Sequence, residues 1–252
     1  MRRFFVPPEL CRDDVFELPE REARHATQVL RLVVGAELTV LNGAGAVLDC
    51  VVETVTKKSA KVRVTRRAER APLPCAITLI QAIPKGPAFE TIVQKATELG
   101  GSRIIPLLSE RVVAHVNAKD APTKVEKWRQ IAIESIKQCG SPFLPKIELP
   151  VALESCLSQY TLAPDELSVV CSLKESNRTL REAVDSFATA HHRPPKSCRI
   201  WIGPEGDFTP AEYTAIAASG ATPISLGPLV LRADTAAIAC LAIANHELQL
   251  AR

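Results

Sequence analysis

Two glycine-bearing turns near the C-terminal end hold the residues best suited to chemistry: Ile202-Gly203-Pro204-Glu205-Gly206-Asp207-Phe208, and Leu226-Gly227-Pro228-Leu229-Val230-Leu231-Arg232-Ala233-Asp234-Thr235. Each follows a short apolar run and precedes a helical pattern, so both read as strand-to-helix turns whose backbone can approach a small molecule closely. Gly-Pro and Pro-x-Gly are also ordinary turn chemistry, and either loop alone says no more than that. Together, with charged residues at matching places, they suggest one binding site. Glu205 and Asp207 argue against phosphate, which is cradled by backbone N–H groups and usually a lysine. No Gly-x-Gly-x-x-Gly follows the first strand of this region, and no Gly-Lys-Ser/Thr occurs anywhere. Nucleoside triphosphates and dinucleotides lose their usual handles, and a neutral or cationic nucleoside ligand fits better.

The elements that must position these loops alternate in type. Ala76 to Ile83 reads as a strand; Phe89, Ile92, Val93, Ala96 and Leu99 mark an amphipathic helix ending at Gly100. Arg103 to Leu107 is extended, and Thr123-x-x-Glu126 reads as a capping box for a helix whose Val125, Trp128, Ala132, Ile136 and Cys139 share a face. Leu167–Cys171, Cys198–Ile202 and Thr222–Leu226 have central-strand character. Thr209-x-x-Glu212, with Pro210 at the first helical position, starts a helix, and a last helix runs from about Asp234 to Leu250. This alternation predicts a parallel α/β sheet, whose ligands gather outside the carboxyl ends of the strands, where both loops fall.

Ala68 to Pro74 reads as a linker, which divides the chain into domains at 1–70 and 73–252. Before it, Glu37–Leu41 and Ala46–Val52 flank Asn42-Gly43-Ala44-Gly45, a hairpin signal, and Lys61-Val62-Arg63-Val64 alternates as another strand. A small β-barrel is expected, with a short helix over Glu20 to Leu32. Net charge is only +3, but residues 1–70 carry 13 Lys/Arg against 10 Asp/Glu, while the rest balances. Lys57, Lys58, Lys61, Arg63, Arg66 and Arg67 concentrate cations in one stretch. An anionic partner explains them, and so does a solvated strand edge guarded against aggregation.

At 252 residues, 46% hydrophobic and 23% charged, the chain has the profile of a globular protein with a full core. No apolar run reaches membrane-spanning length and the start lacks a secretory stretch, so a cytoplasmic location is expected. The eight cysteines are scattered without a Cys-x-x-Cys pair and read as buried free thiols. The five histidines lack ligand spacing, and no metal site is expected.

The loop Ile202 to Gly206, the segment Leu226-Gly227 to Leu231-Arg232 with its following acidic residue, and the earlier Glu98-Leu99-Gly100, Ser109-Glu110-Arg111 and Gln138-Cys139-Gly140 resemble the ribosomal RNA small-subunit methyltransferase E family, over nearly the whole chain and in order. The resemblance implies a SPOUT-type α/β domain with a trefoil knot, preceded by a PUA-like β-barrel. It further implies a homodimer that uses S-adenosylmethionine to methylate N3 of a uridine in 16S ribosomal RNA within the small subunit. It places the cofactor against Leu173, Ile202, Gly203, Pro204, Glu205, Gly206, Leu226, Gly227, Leu229, Leu231 and Arg232. Arg232 is the candidate for stabilising charge on the uracil oxygens, with Glu205 or Asp234 accepting the proton. Plainer roles for Arg232 are an ion pair with Asp234 or a dimer contact, and for Asp234 a helix cap. RNA-binding candidates are Arg2, Arg3, His25, Arg31, Lys57 and Lys58, plus Lys85 and Arg111 nearer the cleft. Asp207 stands where the family pattern usually has Gly, Asp234 where it has Glu, and Ser141 where Arg commonly follows. A non-catalytic RNA-binding or ribosome-assembly factor and a ribose 2′-O-methyltransferase are the alternative readings.

Overall fold

The computed structural model describes residues 2–112, 117, 119–172 and 178–250. Contacts group them into two units, Met1–Pro72 with Ile133–Leu144, and Leu73–Ala132 with Pro145–Arg252. The sequence reading assigned Ile133–Leu144 to the second domain. That stretch carries Ile133, Ile136 and Leu144, which pack on Phe5 in the first unit.

The first unit is a five-stranded sheet of β1 (Arg3–Phe5), β2 (Val15–Glu17), β3 (Glu37–Leu41), β4 (Ala46–Val55) and β5 (Ala60–Glu69) in the order β1-β3-β4-β5-β2. The expected hairpin joins β3 to the antiparallel β4. Gly43 has φ of 78° and would press a Cβ to 2.9 Å from the Phe5 ring, so the turn needs glycine on both counts. Every strand sends buried side chains into one core, among them Phe4, Phe16, Val40, Leu48 and Val62. The helix α1 (Glu20–Arg24) continues as one π-helical turn, His25–Val29, and adds Ala23 and Ala26. Lys137 and Glu22, both buried, meet at 3.0 Å within this unit. Burial pushes the Glu22 carboxyl up, against the pull of Lys137. The cation-rich β5 is no plain sheet edge, because β2 pairs with it over Lys61–Arg63.

The second unit runs β6 (Ala76–Ala82), α2 (Ala88–Glu98), β7 (Gly101–Leu108), α3 (Ala121–Cys139, whose end from Ile133 groups with the first unit), β8 (Lys146–Ile147), β9 (Val151–Ala152), α4 (Leu153–Gln159), β10 (Glu166–Cys171), α5 (Leu180–His191), β11 (Ser197–Ile202), α6 (Pro210–Ala218), β12 (Thr222–Ile224) and α7 (Ala233–Gln249). The sheet order is β12-β10-β11-β6-β7-β8, with β9 also on β7, and every pairing is parallel. Such strands are covered on both faces and read as continuous apolar runs. Ile80, Ile105, Val170 and Trp201 pack with Leu153 of α4 and Ile216 of α6. Residues of the other parity, such as Leu79 and Ile200, are also fully buried.

Helix starts follow their capping chemistry at two places. Thr209 accepts from the Glu212 N–H while the Glu212 carboxylate accepts from the Thr209 N–H, with Pro210 opening α6 as expected. Thr179 and Glu182 do the same for α5. The box expected at Thr123 does not form. α3 starts at Ala121, the Lys124 N–H donates to the Asp120 carbonyl, and Thr123 lies inside the first turn, where it cannot cap. At α7 the cap position is Arg232, so Asp234 sits within the first turn rather than capping it; its carboxylate accepts from the Thr235 N–H at 2.8 Å. No helix among the described residues is long and apolar enough to cross a membrane.

Glu212 reaches beyond its own helix. One oxygen takes the Thr209 N–H at 2.8 Å, and the other takes the Glu110 N–H, also at 2.8 Å, tying the loop after β7 to α6. Glu212→Ala orphans two amides around a buried site and is expected to lower unfolding free energy by about 3 kcal/mol, read from urea denaturation of the intact chain.

Candidate functional site

The carboxyl ends of β10, β11 and β12 open onto one cavity. Its wall is built from Ile202, Gly203, Pro204, Glu205 and Asp207 after β11, from Ser225 to Leu231 after β12, from Cys171 and Ser172 at the end of β10, and from Ala233 and Ala236 on α7. The two glycine loops therefore face the same space. No lysine or arginine stands among the described residues of this wall.

Local geometry explains how each loop holds its shape. The Asp207 N–H donates to the Pro204 carbonyl at 2.9 Å, closing a turn in which Asp207 takes φ of 62°. Aspartate tolerates this left-handed conformation better than most residues, so the turn survives without glycine. Its Oδ1 accepts from the Phe208 N–H at 2.9 Å and from the Tyr213 hydroxyl at 2.7 Å. Gly203 lies so close to this turn that a Cβ would stand 3.1 Å from Asp207 Oδ1. In the second loop Gly227 has φ of 122°, which only glycine adopts freely, and its N–H donates to Ser225 Oγ at 3.2 Å.

Neighbouring rim loops brace the first turn. The Lys85 N–H donates to the exposed Glu205 carboxylate at 2.9 Å, and Arg111 donates to the Gly206 carbonyl at 2.7 Å. The Cys171 thiol is pushed well above its ordinary value by its hydrogen bond with Cys240 and then by burial, so it meets the cavity as a neutral thiol. All eight cysteines are free, and six are buried. Among the described residues no group of three or more His, Cys, Asp or Glu is gathered to hold a metal ion.

Of the residues named for the cofactor, Ile202, Gly203, Pro204, Glu205, Leu226, Gly227, Leu229 and Leu231 line this cavity. Gly206 and Arg232 do not. Gly206 is exposed beside the Arg111 side chain, and Arg232 is exposed at the cap of α7. Leu173 lies outside the described residues. Sequence reasoning missed Cys171, Ser172, Ser225 and the alanines of α7, whose small side chains leave room at the wall but carry no motif of their own.

The cationic candidates divide by occupation. Arg2, Arg31, Lys57, Lys58, Lys85 and Arg111 are exposed, Arg31 with φ of 50°. Arg3 instead donates to the carbonyls of Lys137 and Gln138 at 3.1 and 2.8 Å, satisfying the end of a helix. His25 is half-buried, with its ring 5.8 Å from that of Phe4. Within the basic stretch, Arg63 pairs with Glu53 and Arg67 donates to the Cys11 and Arg12 carbonyls. All six cations of the stretch are exposed, these two arginines included.

Residues 71–245 match the family model of an RNA methyltransferase domain, and residues 18–65 that of an RNA methyltransferase PUA domain. Ribosomal RNA small subunit methyltransferase E of Synechocystis sp. is 30% identical over 98% of this chain and 78% of its own length. The protein of that name from Bacillus subtilis is 27% identical over 100% of this chain and 99% of its own. Among solved structures, a methyltransferase from Legionella pneumophila in complex with S-adenosylmethionine superposes with a TM-score of 0.84 at 32% identity, covering 97% of this chain and 96% of that one. A ribosomal RNA small subunit methyltransferase E from Neisseria gonorrhoeae, also bound to S-adenosylmethionine, gives 0.84 at 25% identity, with 98% and 97% covered. With a PUA domain before a parallel α/β domain and both glycine loops on one cavity, the chain belongs to the ribosomal RNA small subunit methyltransferase E family.

Proposed function

We propose that this protein transfers the methyl group of S-adenosylmethionine to N3 of a uridine in 16S ribosomal RNA, acting on the small subunit as a cytoplasmic homodimer whose C-terminal domain carries a trefoil knot. The observation that carries the reading is the single cavity shared by the two glycine loops. Its donor set fits the cofactor. Leu226, Leu229, Leu231, Ala233 and Ala236 provide apolar cover for an adenine ring, backbone groups of both loops provide polar contacts, and Glu205 and Asp207 suit a cationic rather than a phosphorylated ligand. When bound, the cofactor supplies a methyl group already activated by its positive sulfur.

The tasks left to the chain are alignment and charge. Holding reacting groups in register supplies about 7–11 kcal/mol in well-oriented systems. Loss of the N3 proton spreads negative charge over the flanking uracil oxygens, and a fixed cation beside them lowers its cost. Arg232, at the N-terminus of a long helix whose own dipole has the same sign, is assigned that role. Of the two carboxylates assigned to the proton, Glu205 borders the cavity and Asp234 does not, which favours Glu205. A second copy of the chain has apolar surface to cover: Leu229 and Val230 are 76% and 78% exposed. RNA capture is assigned to the exposed cations Arg2, Arg31, Lys57, Lys58, Lys85 and Arg111.

The deciding experiment incubates the protein with labelled S-adenosylmethionine and small subunits lacking the modification, then identifies the labelled nucleoside. Label in 3-methyluridine is expected; label in a 2′-O-methylated nucleoside, or none, overturns the reading. Arg232→Ala is expected to slow single-turnover methyl transfer by about a hundredfold, and transfer at the normal rate by a variant that still binds cofactor would remove Arg232 from the mechanism. RNA affinity is expected to fall steeply with added salt, and charge reversal at Lys57, Lys58 and Lys61 to flatten that dependence measurably; binding indifferent to salt would free the first unit of this role.

A further inference from the structure

Tyr213 belongs to α6 and was singled out by no motif, yet its hydroxyl touches residues of two walls of the cavity. It lies 2.7 Å from Asp207 Oδ1, in the turn after β11, and 3.2 Å from the carbonyl of Cys171, the last residue of β10. Both partners line the cavity, and Tyr213 does not. Burial first, then the hydrogen bond and charge of Asp207, push the Tyr213 hydroxyl up, so it stays protonated and able to donate. A phenol has one proton to give. The shorter contact, to a carboxylate, is the charge-assisted one and takes it, leaving the Cys171 carbonyl as a weaker second neighbour. The Tyr213 ring is itself fixed, edge-on to the buried Phe208 at 5.6 Å.

The consequence concerns Asp207. Its backbone is left-handed, its carboxylate already holds the Phe208 N–H, and Gly203 packs against it. Anything that lets this side chain swing would move the backbone of Gly203 and Pro204, which border the cavity.

Resting on the cofactor reading above, we infer that Tyr213 is a positioning residue for S-adenosylmethionine: by fastening Asp207 and abutting the end of β10, it sets the spacing between the β10 and β11 walls of the site. It touches no reacting atom, so it acts on cofactor affinity and leaves the chemical step alone.

The test measures S-adenosylmethionine binding by calorimetry, and methyl transfer at saturating cofactor, on the full chain and on Tyr213→Phe, Asp207→Gly and the double variant. Tyr213→Phe is expected to raise the dissociation constant about tenfold, with kcat changed less than about twofold. Asp207→Gly removes the acceptor without disturbing the buried ring and keeps the left-handed turn, so it reads the same contact should Tyr213→Phe fail to fold. It also removes the Phe208 contact and an acid of the cavity wall, so it is expected to weaken binding by at least as much, and the double variant to be no weaker than Asp207→Gly alone. Wild-type affinity in Tyr213→Phe, additive losses in the double variant, or a loss confined to kcat would overturn the inference alone. A wild-type protein that binds no S-adenosylmethionine would overturn the cofactor reading and this inference with it.

Discussion

The second unit depends on one constraint: its strands all run the same way and the central ones are covered on both faces, so the central strands spend their backbone groups on each other everywhere except at the two rims. At the carboxyl rim each chain must turn back into a helix, and the N–H groups of that turn need partners. Carboxylates supply several of them, from the same turn or from a neighbouring element. Glu212 serves Thr209 and Glu110, Glu205 serves Lys85, and Asp207 serves Phe208. The loops after β6, β7 and β11 are thereby linked edge to edge, and the β11 wall of the cavity is held by this lattice.

That use of carboxylates also fixes what the cavity can hold. Glu205 and Asp207 bring negative charge to its wall, which raises the cost of an anionic ligand. The same acids suit a ligand bearing positive charge. Glu205 shows that the two uses overlap, since one carboxylate both borders the cavity and holds the loop that carries Lys85. Removing it would disturb the loop together with any proton transfer, so a loss of activity in such a variant does not by itself identify a base.

Much of this was legible in the residues. The apolar runs at 167–171 and 198–202 read as central strands and are, Thr209-Pro210-x-Glu212 reads as a helix start and is one, and the two glycine loops fall at one rim because those strands are parallel. What escaped has physical reasons. The Thr179-x-x-Glu182 box opening α5 carries the same signal as Thr209-x-x-Glu212 and was passed over, whereas the equally well-spaced Thr123 and Glu126 were read as a box and are helix interior. Spacing alone does not say which side of a boundary a threonine occupies. Asp234 was misread similarly, since an acid in the first turn is favoured by the helix dipole whether or not it caps. The grouping of Ile133–Leu144 with the first unit depends on contacts to Phe5 and Gly43 more than a hundred positions away, which no local pattern encodes. The knot and the target base came from family resemblance alone.

Charge completes the division of labour within the sequence. The excess of cations lies in the first unit, while the cavity wall in the second carries acids and no described cation. A nucleic acid and a sulfonium nucleoside have opposite charge, so a single surface suited to one would repel the other. Keeping the two fields on separate elements lets each be strong. It also makes the exposed Lys85 and Arg111 informative, because they belong to the second unit and are fastened to the first glycine loop, Lys85 through its amide and Arg111 through its guanidinium. It is the Lys85 amide and not its ammonium that bonds Glu205, so the Lys85 side chain stays exposed beside an acidic site.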